Sequence, residues 1–135
     1  MLSETIKEIP ILQSICQKHL EELSKTSDFF IFALLASEDG FPIAQVNIEQ
    51  NSNRKVAAMA STLSGLAKSI VKEFKLGKTE GTIIECSFGL VLCRNVYRGQ
   101  KTFVLLSVVN EKATIGQALW SIKNTAKKIN DSINI

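Results

Sequence analysis

The sequence predicts a single α/β domain in which one sheet is covered by helices, and three observations lead to this prediction. The chain has 135 residues, of which 45% are hydrophobic and 21% are charged, which is typical of one globular domain. Five short apolar runs predict strands, and three longer segments with apolar residues at helical spacing predict helices. Their order is helix, two strands, helix, three strands, helix, without a repeat or linker that would indicate a second domain.

The first predicted helix begins at a proline. Pro10 suits a first helical position, and apolar residues recur at helical spacing over residues 12–23. Residues 1–10 are therefore expected to form a loosely held N-terminal segment of the single domain, which spans residues 1–135.

Two strands should follow as a hairpin. Residues 29–36 are apolar without a break, which predicts a strand buried on both faces and central in its sheet. Asp39 and Gly40 form a favoured hairpin turn, so the strand predicted over residues 41–48 should fold back on the first.

The second and third helices have clear signals. Over residues 54–75 the apolar residues fall on one arc of a helix, which Gly77 should end. Thr114 and Gln117 form a capping-box pattern at the start of the closing helix.

Three strands should lie between these helices and form a meander. The strand-like runs cover residues 82–87, 90–96 and 103–109 and are joined by short turns. The last run is nearly all apolar, so we expect it beside the first strand at the centre of the sheet.

One stretch of the second helix lacks charge and indicates a partner. Residues 56–67 contain no charged side chain, although an exposed helix face normally carries Lys and Glu. Small residues lie opposite the apolar arc and would let the same helix of a second copy approach closely. A face that is solvated, or buried within the protomer, is the alternative. The predicted self-contact comprises Ala57, Ala58, Ser61, Thr62, Ser64, Gly65 and Lys68 on the helix, and Thr82 and Ile84 on the following strand, which would be a free edge.

Charge and hydropathy exclude several classes of partner. The net charge is +3, and the basic residues are spread along the chain, so nucleic acid is not a predicted partner. The longest apolar stretch is far shorter than the roughly 20 residues of a membrane-spanning helix, so no membrane insertion is predicted. The first residues lack the pattern of a secretion signal, and we expect a cytoplasmic protein.

The sequence predicts no metal site and no cofactor. Cys16, Cys86 and Cys93 are widely spaced without a CxxC pair, and His19 is the only imidazole, whereas structural zinc needs four nitrogen or sulfur ligands. Three reduced, buried thiols are expected instead. His19 lies on the apolar side of the first helix, which favours a packed or rim position.

Several segments together resemble the roadblock/dynein light chain family. Residues 33–44, Ala-Leu-Leu-Ala-Ser-Glu-Asp-Gly-Phe-Pro-Ile-Ala, are similar to the first hairpin of that family. Residues 57–66, Gly77 and residues 114–118 match its further landmarks in order, and the resemblance covers about residues 12–129.

The resemblance implies a fold and a role. The fold would be α/β (α+β), a profilin-like, five-stranded antiparallel sheet with helices on both faces in the order αββαβββα. The resemblance implies dimerisation through the second helix and the third strand into one continuous sheet. It also implies a partnership with small Ras-like GTPases, as in bacterial polarity and gliding regulators of the MglB type, or a scaffold role in motor or signalling complexes.

Local patterns that imitate catalytic motifs have simpler explanations. Gly77-Lys78-Thr79 resembles the end of a phosphate-binding loop, but it follows a helix and precedes a strand, which is the reverse of what that loop needs. Arg98 on a turn could act on a GTPase in trans as an arginine finger, although a solvated turn residue is the commoner role. We predict no catalytic residue.

Three functional hypotheses follow from the sequence. The first is a homodimeric, non-catalytic module that binds and regulates a small Ras-like GTPase. The second is a structural adaptor in a larger complex with no effect on nucleotide turnover. The third is an enzyme or ligand binder built on a profilin-like sheet, because a fold alone does not determine function.

Overall fold

The computed structural model describes residues 2–47 and 50–134, with side-chain placement for residues 10–47 and 52–134. The order of elements confirms the predicted αββαβββα. The elements are α1 (Leu2–Ser24), β1 (Phe30–Ser37), β2 (Pro42–Val46), α2 (Gln50–Glu73), β3 (Gly81–Cys86), β4 (Gly89–Arg98), β5 (Lys101–Asn110) and α3 (Ile115–Ile133).

The five strands form one antiparallel sheet in the order β2-β1-β5-β4-β3. β1 and β5 pair at its centre, as their apolar and nearly all-apolar sequences predict. A strand covered on both faces buries successive side chains in opposite directions. In β1, Leu34 contributes to the core on one face and Leu35 to the core on the other. β2 and β3 are the edge strands.

Helices cover both faces of the sheet. α1 and α3 lie on one face, where the largest core cluster includes Leu20, Leu35, Ile122 and Ile129. α2 lies alone on the other face, where Ala60 packs with side chains of β4 and β5. One face therefore has a two-helix cover and the other a single helix.

The turn and cap signals of the sequence are confirmed. The β1–β2 hairpin closes with a hydrogen bond of 2.8 Å from the Ser37 amide to the Phe41 carbonyl, and Gly40 takes a φ of 89° in that turn. Thr114 caps α3: its hydroxyl accepts from the Gln117 amide at 3.1 Å, and the Gln117 side chain accepts from the Thr114 amide at 3.0 Å.

Two predicted helix starts were wrong. α1 begins at Leu2, so Pro10 lies inside the helix rather than at its first position. α2 begins at Gln50, a full turn before the predicted start at residue 54. The proline failed as a start signal because helix-forming residues lie on both sides of it. The loose attachment of residues 1–10 stays a prediction, and Ile48 of the second predicted strand lies outside the described residues.

Candidate functional site

α2 rests on the sheet through small side chains. Ala57 is 0% exposed and packs with Leu34 and Ala36 of β1, and Ala60 is 1% exposed beside Val104 of β5. Small side chains at the contact let the helix axis come close to the sheet. The stripe of α2 that contains them therefore faces the core of the protomer.

This orientation corrects two of the predicted self-contact residues. The Ala57 side chain is buried within the protomer, and Ser64 is only 7% exposed. The Ser64 hydroxyl lies 3.3 Å from Oδ1 of Asn95 on β4, to which it donates a hydrogen bond. Both positions serve the packing of α2 on its own sheet, which was the alternative left open by the sequence.

Ser61 and Lys68 attach α2 to the β1–β2 turn. The Ser61 hydroxyl donates to the backbone carbonyl of Glu38. The Lys68 ammonium group lies 2.8 Å from the Glu38 carboxylate and 3.1 Å from the Thr102 hydroxyl. These two side chains therefore have partners within the protomer, and a role for them in self-contact stays a prediction.

Ala58, Thr62 and Gly65 face outward on α2. All three are exposed, and a side chain added at Gly65 would meet nothing within 4 Å. The Thr62 hydroxyl donates to the Ala58 carbonyl at 2.9 Å, which satisfies it within the helix. This part of the predicted contact is open to a partner.

Four large apolar side chains, three on α2 and one directly after its end, are exposed, although the sequence placed them on the core-facing arc. We call them the outer stripe: Met59, Leu66, Ile70 and Phe74, which are 53%, 58%, 53% and 68% exposed. The expectation was wrong because the apolar arc of α2 is wider than the strip of helix that the sheet can cover. A core-facing helix needs an arc of about 100°, and the extra width was the available signal for a second apolar contact.

The β3 edge borders the same face of the sheet. Ile84 pairs in register with Val91 of β4, which packs against the α2-side core, so Ile84 points to the α2 side. Ile84 is 41% exposed, and Thr82, two residues before it, lies half-buried on the same side. Among the described residues, β3 pairs with β4 alone, as the predicted free edge requires.

The opposite edge of the sheet is protected. The Gln17 side chain of α1 donates to the Gln45 carbonyl of β2 at 2.9 Å and accepts from the Gln45 amide at 3.3 Å. Pro42 begins the strand and has no amide hydrogen to donate. Of the two edge strands, β3 is thus the one whose edge is available for pairing.

The thiols and the imidazole have structural positions. Burial raises the pKa of Cys16 and of Cys93 to about 11. Cys86 is exposed on β3, which corrects the expectation of three buried thiols.

Nε2 of His19 lies 2.9 Å from the Ser132 hydroxyl, so the imidazole bridges α1 and α3. In the described part of the chain, no group of three His, Cys, Asp or Glu side chains could hold a metal ion.

The remaining local motifs are also accounted for. Residues 77–79 lie between α2 and β3, where the Thr79 carbonyl accepts hydrogen bonds from the Asn95 amide group at 3.1 Å and from the Tyr97 hydroxyl. Arg98 ends β4 and is half-buried. No helix in the described part is long and apolar enough to cross a membrane.

An antiparallel sheet of five strands, with one helix on one face and two on the other, is the architecture of profilin-like domains. Within that class, the model of the Roadblock/LC7 domain matches residues 30–110, which is more than half of the chain. The protein therefore belongs to the Roadblock/LC7 family.

Solved structures share this fold at low sequence identity. A Roadblock/LC7 domain from Streptomyces avermitilis superposes with a TM-score of 0.77 at 19% identity, over 86% of this chain and 95% of that one. The gliding protein MglB from Thermus thermophilus has a TM-score of 0.77 at 13% identity, over 90% of each chain. An MglB in a tetrameric arrangement has a TM-score of 0.77 at 14% identity, also over 90% of each chain. No curated protein sequence matches this chain significantly.

Proposed function

We propose that this protein is a homodimeric, non-catalytic interaction module that binds and regulates a small Ras-like GTPase in the cytoplasm. The observation that carries the proposal is the outer stripe of α2 lying beside the free β3 edge in a Roadblock/LC7 domain. Large exposed apolar side chains that lie together mark protein contacts more often than solvent-facing surface.

A two-fold contact through this surface would cover both the outer stripe and the β3 edge. Each copy would present the same patch, and β3 would pair with its own copy to form one continuous sheet. Ala58, Thr62 and Gly65 would allow α2 and its symmetry mate to cross closely. Burying the exposed half of each outer-stripe side chain would stabilise the dimer by on the order of 1 kcal/mol per side chain.

The GTPase partner is supported by family membership and by the likeness to MglB, a gliding protein in Thermus thermophilus. We assign no catalytic residue and no cofactor to this chain. If nucleotide hydrolysis is stimulated, the dimer would act by repositioning residues of the GTPase itself.

A pull-down followed by a GTPase assay tests this function. The full-length protein is used as bait in a lysate of its own organism, the captured proteins are identified by mass spectrometry, and the hydrolysis rate of any captured GTPase is measured with and without the bait. We expect a Ras-like GTPase whose turnover changes. A captured GTPase with unchanged turnover would assign the structural adaptor role instead, and the absence of any GTPase would contradict the proposal.

Arg98→Ala separates regulation from an arginine-finger mechanism. We expect the variant to retain its stimulation of the GTPase, because the proposal gives Arg98 no role in the reaction. An arginine finger contributes about 10³-fold or more to hydrolysis, so its loss is easily measured. A collapse of stimulation in a variant that still binds the GTPase would restore the finger hypothesis.

A further inference from the structure

The basic residues are spread along the sequence, but they gather in space at one end of the sheet. Two grooves lie there. One, of about 440 Å³, lies at the end of α2. The other, of about 520 Å³, lies beside the part of β4 that extends past the start of β3. Of the described residues that line them, seven are positively charged and one, Glu80, is negatively charged. The whole chain has sixteen basic residues and a net charge of only +3, so this end of the molecule is strongly and locally basic.

The two grooves adjoin each other at the end of the sheet. One lies between α2 and Tyr97 on the α2 face, and the other lies between β4 and α3 on the opposite face. Lys78 and Tyr97 line both grooves. The Lys78 ammonium group lies 3.7 Å from the centre of the Tyr97 ring, so these two side chains form the boundary between the grooves. We call the two adjoining grooves the basic channel.

Most cations of the basic channel lack a partner of opposite charge. Lys68 pairs with Glu38. In the part of the chain that the structure describes, the others form no ion pair with a carboxylate; they are Lys72, Lys75, Lys78, Arg94, Lys123 and Lys127. Like charges held close together repel one another, and an anionic ligand relieves that repulsion.

We infer that the basic channel binds an extended acidic segment of a partner protein. The two grooves of the channel lie on opposite faces of the sheet, so a ligand that contacts both must bend around the sheet end, as a flexible peptide does. A membrane plane or a nucleic-acid duplex reaches only one side. The Tyr97 ring is covered by Lys78, which leaves it poorly placed to stack on a base.

The inference can be tested with a labelled peptide. The probe is a fluorescein-labelled peptide rich in Glu and Asp, the control peptide carries Gln and Asn at the acidic positions, and binding to the full chain is measured by fluorescence anisotropy. We expect the acidic peptide alone to bind, with an affinity that falls as salt rises. The double variant Lys123→Glu, Lys127→Glu should weaken binding about tenfold or more, because two attractions become repulsions. The double variant Lys72→Glu, Lys75→Glu should weaken it similarly from the other groove.

A matched control distinguishes the channel from net charge. Lys18 and Lys25 are exposed on α1 and just after it, and the double variant Lys18→Glu, Lys25→Glu changes net charge by the same amount. We expect it to retain binding. Equal losses in all three double variants, or no binding by the parent, would overturn the inference. Tighter binding to single-stranded DNA or to phosphatidylserine vesicles than to the peptide would also overturn it. Because the outer stripe is untouched in these variants, their dimerisation and GTPase binding report separately on the proposed function.

Discussion

At the scale of single residues, side-chain size sets how close α2 lies to the sheet. Ala57 is fully buried between α2 and β1, where it packs with Leu34 and Ala36. A larger side chain at this position has no free volume to enter, because protein interiors are packed to nearly crystalline density. Ala58, the next residue, is exposed on the outer side of the helix.

Ala57→Leu and Ser14→Leu test this packing as a pair. We expect Ala57→Leu to lower the free energy of unfolding by about 1–3 kcal/mol through overpacking. Ser14→Leu, which adds a leucine side chain on the exposed side of α1, should alter it by less than about 0.5 kcal/mol. Urea denaturation followed by circular dichroism measures both. Equal effects would contradict the burial of Ala57.

The three thiols should differ sharply in reactivity. With a pKa of about 11, Cys16 and Cys93 are ionised to only about one part in a thousand at pH 8, and both are buried. Cys86 is exposed on β3. A thiol-specific chromogenic reagent should therefore modify one thiol rapidly in the native protein and all three in denaturant. Loss of the fast phase in Cys86→Ser checks the assignment, and fast reaction of two or more native thiols would contradict it.

At the scale of elements, the β1–β2 hairpin is packed onto α2. Gly40 has a φ of 89°, and a side chain there would lie 3.4 Å from the Ala58 Cα. Ser61 and Lys68 of α2 both bind Glu38 in the same turn. The turn thus fixes the direction of α2 and, with it, the direction in which the outer stripe faces.

Gly40→Ala should loosen this attachment. A left-handed φ costs a residue with a side chain about 1–2 kcal/mol. The added methyl group would also contact α2 closely. We therefore expect the free energy of unfolding to fall by about 1–2 kcal/mol. Gly116→Ala in the first turn of α3 is the control, because its nearest neighbour would lie at 3.9 Å, an ordinary contact. We expect no loss there. A thermal melt of both variants decides, and equal stability of Gly40→Ala and the parent would contradict the account.

The arrangement of elements follows from patterns that are local in sequence, whereas the orientation of α2 does not. An unbroken apolar run predicted β1 at the sheet centre, and a nearly all-apolar run predicted β5 beside it. The capping pattern at Thr114 predicted the start of α3. The predicted orientation of α2 was wrong because periodicity gives the width of an apolar arc but not which part of the arc contacts the sheet. That choice depends on the space above β1 and β5, which is set by side chains distant in sequence.

At the scale of the whole molecule, the two sheet edges are treated differently. The Gln17 side chain satisfies the backbone of β2 at one edge. At the other edge, the backbone of β3 is open, and the β3 side chains Thr82 and Ile84 lie on the same face of the sheet as the outer stripe. An unprotected edge beside exposed apolar side chains is an aggregation hazard unless a symmetric contact covers it. Self-association is therefore the central claim of the proposed function.

The most direct test is the mass of the protein in solution, measured by sedimentation equilibrium for the parent, Leu66→Glu and Ile11→Glu. Leu66 lies on the outer stripe, and Ile11 is an equally exposed aliphatic residue on α1, with exposed fractions of 58% and 63%. We predict about twice the protomer mass of 14.9 kDa for the parent and for Ile11→Glu. Leu66→Glu should sediment as a folded protomer, because two-fold symmetry would bury two carboxylates in an apolar contact. A parent protein that sediments as a single protomer, or a Leu66→Glu variant that remains dimeric, would contradict the account.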